Sequence, residues 1–96
     1  MSVPALGLSD IEDRLRMYPE WSLRDGSLVR DYTFLDFATA LRFLIVVGRI
    51  AEQQNHHPEI WNLYNRVRLS YNTHDAQGIT ALDFAAIAAL DAVRNP

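Results

Sequence analysis

The sequence predicts a two-layer α+β domain whose helices and strands follow the order α-β-β-α-β-β-α. Three observations carry this reading. Two stretches, 21–34 and 59–73, alternate apolar and polar residues around turn-forming residues, as hairpins with one buried face do. The segment 36–54 repeats its apolar residues every three or four positions. The first and last segments open on residues that cap helix N-termini.

The first helix is expected in "SDIEDRLRMYP", with Ser9 as N-cap and Glu12 completing a capping box. Ile11, Leu15 and Met17 form its apolar stripe, and Pro19 ends it, having no N–H to donate. "WSLRDGSLVRDYTF" reads as a hairpin turning at Asp25-Gly26, since glycine reaches positive φ without steric cost. Trp21 and Leu23 share one face there, as do Leu28 and Tyr32 on the returning strand. The main helix follows Asp36, its N-cap, with Phe37, Leu41, Leu44, Val47 and Ala51 in one stripe. Phe43, Ile45, Val46 and Ile50 widen that stripe around most of the girth. Such a helix is usually covered on two sides, and a second copy of the protein is the expected second cover.

"EIWNLYNRVRLSYNT" reads as a second hairpin turning near Asn65. Trp61 and Leu63 alternate with polar neighbours, as do Val67, Leu69 and Tyr71. The last helix opens on Thr80 as N-cap with Asp83 at N3. Leu82, Ala85, Ala86, Ala89 and Val93 give it a small-residue stripe for close packing.

The chain has 96 residues and reads as one domain, 1–96. It is 49% hydrophobic, enough to fold rather than stay disordered. It has no cysteine, which excludes disulfides, thiolate metal sites and thiol chemistry. The formal charge of −3 argues against a nucleic-acid or anionic-membrane surface. No apolar run is long enough to span a bilayer, and "MSVPALGLSD" lacks the features of a secretory signal, so a soluble cytoplasmic protein is expected. There is no nucleophile motif and no glycine-rich phosphate loop.

The three histidines are confined to two polar stretches, "NHHPE" and "NTHDAQGIT". Pro58 favours an extended His57, so His56 and His57 diverge and are poorly placed to chelate one ion side by side. A loop histidine also reads simply as a solvated polar residue or a helix C-terminal cap. A three-histidine zinc site is a further reading, although the spacing matches no usual zinc pattern. Glu52 lies four residues before His56, where it could polarise an imidazole or be a plain surface charge. Asp83 is most simply a helix N-terminal acid, Trp21 and Trp61 core or interface residues, and Gly78 a turn residue.

"AEQQNHHPEI" followed by "YNRVRLSYNTHDAQGITALDFAAIAALD" resembles the pterin-4a-carbinolamine dehydratases. Asn55-His56-His57-Pro58, Tyr64-Asn65, Val67, Thr73-His74, Gly78-Ile79-Thr80 and Asp83 fit that family's pattern, with Trp21, Phe34 and Phe37 upstream. Ala76 and Ile60 replace larger or more polar residues of some members. The resemblance implies a four-stranded antiparallel sheet with three helices on one face, in a homodimer or homotetramer that needs no metal or other cofactor. It implies a lyase that removes water from 4a-hydroxytetrahydropterin to give quinonoid dihydropterin, recycling the cofactor of an aromatic amino acid hydroxylase in the same pathway. His56 and His74 would transfer protons and His57 would hold the pterin ring. Pro58, Thr73, Asp75 and Ala76 would line the pocket, and Glu52, Asn55 and Asp83 would support the imidazoles. A relative of this fold can also act without catalysis, as a transcription-coactivator or assembly protein, and such a protein need not keep the histidines.

Overall fold

The computed structural model describes residues 3–93. Its elements are α1 (Leu8–Leu15), β1 (Ser22–Arg24), β2 (Ser27–Thr33), α2 (Phe37–Gln54), β3 (Glu59–Leu63), β4 (Arg66–Tyr71), a 3₁₀ turn (His74–Ala76) and α3 (Ala81–Asp91). The strands form one antiparallel sheet in the order β1-β2-β4-β3. Both hairpins are therefore kept intact, and the second strands of the two hairpins pair to make the centre of the sheet. This is the α-β-β-α-β-β-α arrangement the sequence predicts.

One face of the sheet meets the helices. Leu28, Val67, Leu69 and Tyr71 pack there against Ile11 of α1, Ala40, Phe43 and Val47 of α2, and Phe84, Ala86, Ile87 and Leu90 of α3. Asp25 and Gly26 both have positive φ, which fits the twist of a two-residue hairpin turn. Asp36 caps α2 through a hydrogen bond from the Thr39 backbone N–H. Hydrogen bonds from the Thr39 hydroxyl and N–H hold the Asp36 carboxyl below its ordinary pKa. The Asn65 amide donates to the Phe34 carbonyl and the Phe34 N–H donates to the Asn65 carbonyl. That reciprocal pair fixes the second turn against the chain entering α2.

Several faces and ends differ from the sequence expectation. Helix α1 starts after Gly7, not Ser9, and no side chain caps it. The preceding Leu6 N–H is tied to the Ile79 carbonyl, so a tertiary hydrogen bond sets where the helix begins. It ends at Leu15, before Pro19, and Met17 is 77% exposed rather than part of a stripe. The buried line of α2 is Ala40, Phe43, Val47 and Ala51, while Phe37, Leu41 and Ile45 are exposed. A helix apolar around its girth leaves its rotation to be decided by packing. On α3 the buried residues are Asp83, Phe84, Ala86, Ile87 and Leu90, and Leu82 and Ala85 are exposed. The expected helical residues 94–96 lie outside the described residues.

The register moves Trp61 and Leu63 to the outer face. Trp61 pairs with Arg68 and Leu63 with Arg66, whereas Ile60 pairs with buried Leu69. Both guanidiniums lie over the Trp61 ring, at 5.7 Å for Arg66 and 5.6 Å for Arg68. Cation–π contact, rather than core burial, accounts for the tryptophan there. Beside it Asp31 accepts hydrogen bonds from Arg68 and Arg24, which keep its carboxyl below the ordinary pKa.

This register gives a contrast to measure. Leu69→Ala should cost about 2–5 kcal/mol, because it opens a cavity at the sheet centre. Leu63→Ala, on the outer face, should stay within about 0.5 kcal/mol of wild type. Urea midpoints at constant m-value report both, and equal losses would contradict the register.

Candidate functional site

Helix α2 ends at Asn55, which adopts the left-handed conformation (φ 50, ψ 42). Asparagine tolerates this better than most residues and is a common helix stop. The His56 N–H then reaches back to the Ala51 carbonyl at 3.1 Å. The chain turns sharply, and His56 and His57 leave in different directions just before β3. Because β3 and β4 are antiparallel, the start of one lies at the end of the other, where Thr73 and His74 follow β4. The Thr73 N–H to Gly78 carbonyl bond at 2.9 Å closes the 3₁₀ turn that carries His74 and Asp75. All three histidines are thus brought to one end of the sheet.

The two adjacent histidines have different surroundings. His56 places Nε2 at 2.6 Å from Asp83 Oδ1, with the His56 side chain 11% and the Asp83 side chain 0% exposed. His57 places Nε2 at 2.5 Å from Glu52 Oε2, with both groups largely in solvent. A carboxylate only accepts, so Nε2 of His56 donates to Asp83, and Nδ1 is the ring nitrogen that the carboxylate does not engage.

Asp83 is held on every side. Its Oδ2 accepts from the Thr80 backbone N–H at 2.9 Å and from the Thr73 hydroxyl at 2.8 Å. The Thr80 hydroxyl accepts from the Leu82 N–H and lies 2.7 Å from the Thr73 hydroxyl. Since Thr73 gives its own proton to Asp83, Thr80 donates to Thr73. Thr80 and Asp83, the expected N-cap and N3 acid of α3, form a capping box there, and the acid that completes it also binds His56. A fully buried carboxylate persists only when paired in this way.

Tyr71 forms the floor beneath His56. Its ring stacks near the imidazole, with centroids 5.9 Å apart and planes 19° from parallel. Its buried hydroxyl has no hydrogen-bond partner among the described residues. Burial, with a smaller contribution from the Asp83 charge, pushes its pKa up to about 12.

An open cleft of about 350 Å³ collects these groups. Asn55, His56, His57, Thr73, His74 and Asp75 line it. Of the other expected residues, Glu52 and Asp83 bear on it through His57 and His56, while Pro58 and Ala76 do not line it. Asn72 and Leu82 line it without having been expected. Asn72 directly precedes the Thr-His motif, and Leu82 lies between the cap and Asp83, so adjacency to both motifs was the available signal. Nothing in the sequence marked Tyr71 as a neighbour of His56. Among the described residues, no three His, Asp or Glu side chains are grouped closely enough to hold a metal ion.

Fold and cleft define a class: a small α+β protein that gathers three histidines, two of them backed by carboxylates, at one end of an antiparallel sheet. Comparison with known proteins narrows the class. The family model for pterin 4 alpha carbinolamine dehydratase matches residues 4–93, and the chain belongs to that family. It is 42% identical over 91 residues to a protein of Chloroflexus aurantiacus, covering 95% of this chain and 98% of the relative. It is 46% identical over 88 residues to one of Solibacter usitatus, covering 92% and 93%. Both are named as candidate pterin-4-alpha-carbinolamine dehydratases. The fold superposes on the crystal structure of a transcriptional coactivator/pterin dehydratase from Brucella melitensis with a TM-score of 0.87. That match has 34% identity and covers 92% of this chain and 96% of the other.

The buried phenol gives a pH prediction. Tyr71 keeps its proton to about pH 12 in the fold, whereas an unfolded tyrosine loses it near 10.0. The folded state therefore holds more protons between these values, and stability falls as pH rises through them. Tyr71→Phe should flatten that fall, leaving the part due to Tyr32, whose pKa is also raised by burial. At neutral pH the same variant should be no less stable, since it removes an unpaired buried hydroxyl. Urea midpoints between about pH 8 and 11 would show both effects.

Proposed function

We propose that this protein dehydrates 4a-hydroxytetrahydropterin, with His56 and His74 as the proton-transfer pair. The observation that carries the proposal is the His56–Asp83 contact, facing the same cleft as His74 in a chain of this family. Dehydration breaks the C4a–O bond. Hydroxide leaves poorly near neutral pH, so the oxygen takes a proton and departs as water. The N5–H bond gives up its proton, and its electrons form the N5=C4a bond of quinonoid dihydropterin. One proton enters, one leaves, and no electron acceptor is needed.

The residues suit these demands. Imidazole titrates near neutrality and can serve on either side of the transfer. Asp83 holds Nε2 of His56 and so directs Nδ1 to the exchange. His57, fixed by Glu52, holds the ring from the exposed side, and Asn55, Thr73 and Asp75 line the pocket. In this reading one domain, 1–96, carries the site, and no metal or organic cofactor takes part. The quinonoid product is the form that a cytoplasmic recycling reaction would return to an aromatic amino acid hydroxylase. The exposed α2 stripe of Phe37, Leu41 and Ile45 joins copies into a dimer or tetramer.

Dehydration of synthetic 4a-hydroxytetrahydropterin, followed by absorbance, tests the assignment. His56→Ala and His74→Ala should each lower kcat/KM by about 10²–10⁴-fold, limited by the uncatalysed rate. Wild-type rates in both variants would overturn the catalytic reading and leave a binding or coactivator protein on this fold. Light scattering on purified protein should show a multiple of the chain mass, and Ile45→Glu should shift it toward the monomer. A monomeric wild type would contradict the assembly.

A further inference from the structure

Residues 3–7 form a strap that passes the site loop before the chain enters α1. The Leu6 N–H donates to the carbonyl of buried Ile79 at 2.7 Å, and the Leu6 side chain packs against the core. Gly78 has no side chain, and a Cβ built there would lie 3.4 Å from the Ala5 Cβ, so the strap lies directly against the loop backbone. The next residue, Gly7, is the N-cap of α1, and its carbonyl accepts from the N–H of buried Ile11. The strap is thus fixed to the core at Leu6 and to α1 at Gly7.

Two neighbours hold the Gly78–Ile79 segment. Gly78 bridges Thr73 at the end of β4, each N–H donating to the other residue's carbonyl, at 2.9 and 3.4 Å. Ile79 is tied to the strap. Upstream lies the 3₁₀ turn with His74, closed by the Gln77 N–H on the His74 carbonyl at 3.0 Å. Downstream is Thr80, whose N–H supports Asp83 and through it His56. A shift of Ile79 therefore reaches the supports of both histidines within a few residues. We propose that Leu6 is a positioning residue, whose N–H and side chain hold the Gly78–Ile79 segment and so set the placement of His74 relative to His56. This rests on the pterin dehydration reading of the cleft, in which these two histidines move the protons. Two such groups on separate segments act together only while their spacing is kept, and a displacement of about 1 Å can cost about 10²-fold in rate. Neither Leu6 nor Ile79 lines the cleft, so the strap acts only through the segment it holds.

Leu6→Pro in the full chain removes the N–H and keeps an apolar side chain. It should lower kcat for carbinolamine dehydration about 10- to 100-fold and change KM by less than about 3-fold. Leu6→Met keeps both the N–H and an apolar side chain and should restore the wild-type rate. Amide hydrogen exchange gives a readout that needs no turnover. In the proline variant it should quicken about 3- to 10-fold at Thr73 and Gln77 and stay unchanged at Leu69 in the sheet centre. With an active wild type, an unchanged kcat in Leu6→Pro overturns the positioning role and keeps the dehydratase reading. An equal rise in exchange at Leu69 also overturns it, because the loss is then one of general stability. If Leu6→Pro does not fold, Leu6→Ala keeps the N–H and loses most of the apolar anchor. It should show the same local exchange pattern with kcat lowered about 3- to 10-fold. A wild type without turnover removes the dehydratase reading, and exchange alone then decides the strap: a local rise keeps its hold on the site loop, and a uniform or absent rise removes it.

Discussion

The arrangement depends on one buried carboxylate. Asp83 has no exposed surface, and its oxygens are shared by His56, Thr73 and the Thr80 N–H. These partners come from the end of α2, the end of β4 and the start of α3. A carboxylate in such surroundings without its donors would cost several kcal/mol. The three segments must therefore arrive together, and the cleft is assembled by the same contacts that close the fold. The position of β4 inside the sheet makes this feasible. Its end lies under the helices, so Thr73 can reach α3 while His74, one residue on, remains in solvent.

The backbone aims the side chains. Asp25, Asn55, Tyr64 and Gln77 all have positive φ; Asn55 lines the cleft, and Gln77 closes the turn that carries His74. Asp and Asn accept this conformation at modest cost, whereas glutamine is a less natural choice. Its place after the 3₁₀ turn lets the chain return to Gly78 and pair with Thr73.

How much of this was legible in the sequence varied with the kind of signal. Several devices encoded within a few residues were read correctly, namely the Asp25-Gly26 turn, the Asp36 cap, and Thr80 as N-cap with Asp83 at N3, whereas the Ser9–Glu12 capping box does not form. The histidine clusters were read from their neighbours, and their meeting at one end of the sheet follows from antiparallel pairing. Readings that required a phase were less secure. Helix α2 has apolar residues on nearly every side, so the pattern did not tell Phe43 from Leu41. Strand β3 is an edge strand with one partner, and the cations that cover Trp61 lie on its neighbour. The start of α1 is set by a hydrogen bond between Leu6 and Ile79, far apart in sequence. The stacking of Tyr71 on His56 is likewise a product of tertiary closure, invisible to any local window.

The last turn of α3 has a consequence for how the chain acquires its shape. Asp91 Oδ1 accepts from Trp21 Nε1 and from the Arg30 guanidinium, each at 3.0 Å, across separations of 70 and 61 residues. The first hairpin is thus latched by a residue made after all four strands. Hairpins and helices can form locally as the chain emerges from the ribosome, but this latch waits until residue 91 is free. Until then Trp21 lacks its hydrogen-bond acceptor, and β2 offers the β4-pairing edge that later becomes the sheet centre. The long-range pairing of β2 with β4 adds loop-closure entropy to the same late step. A nascent chain paused before α3 would present an unpaired strand edge and an uncovered apolar face, the features by which chaperones and aggregation partners compete for it.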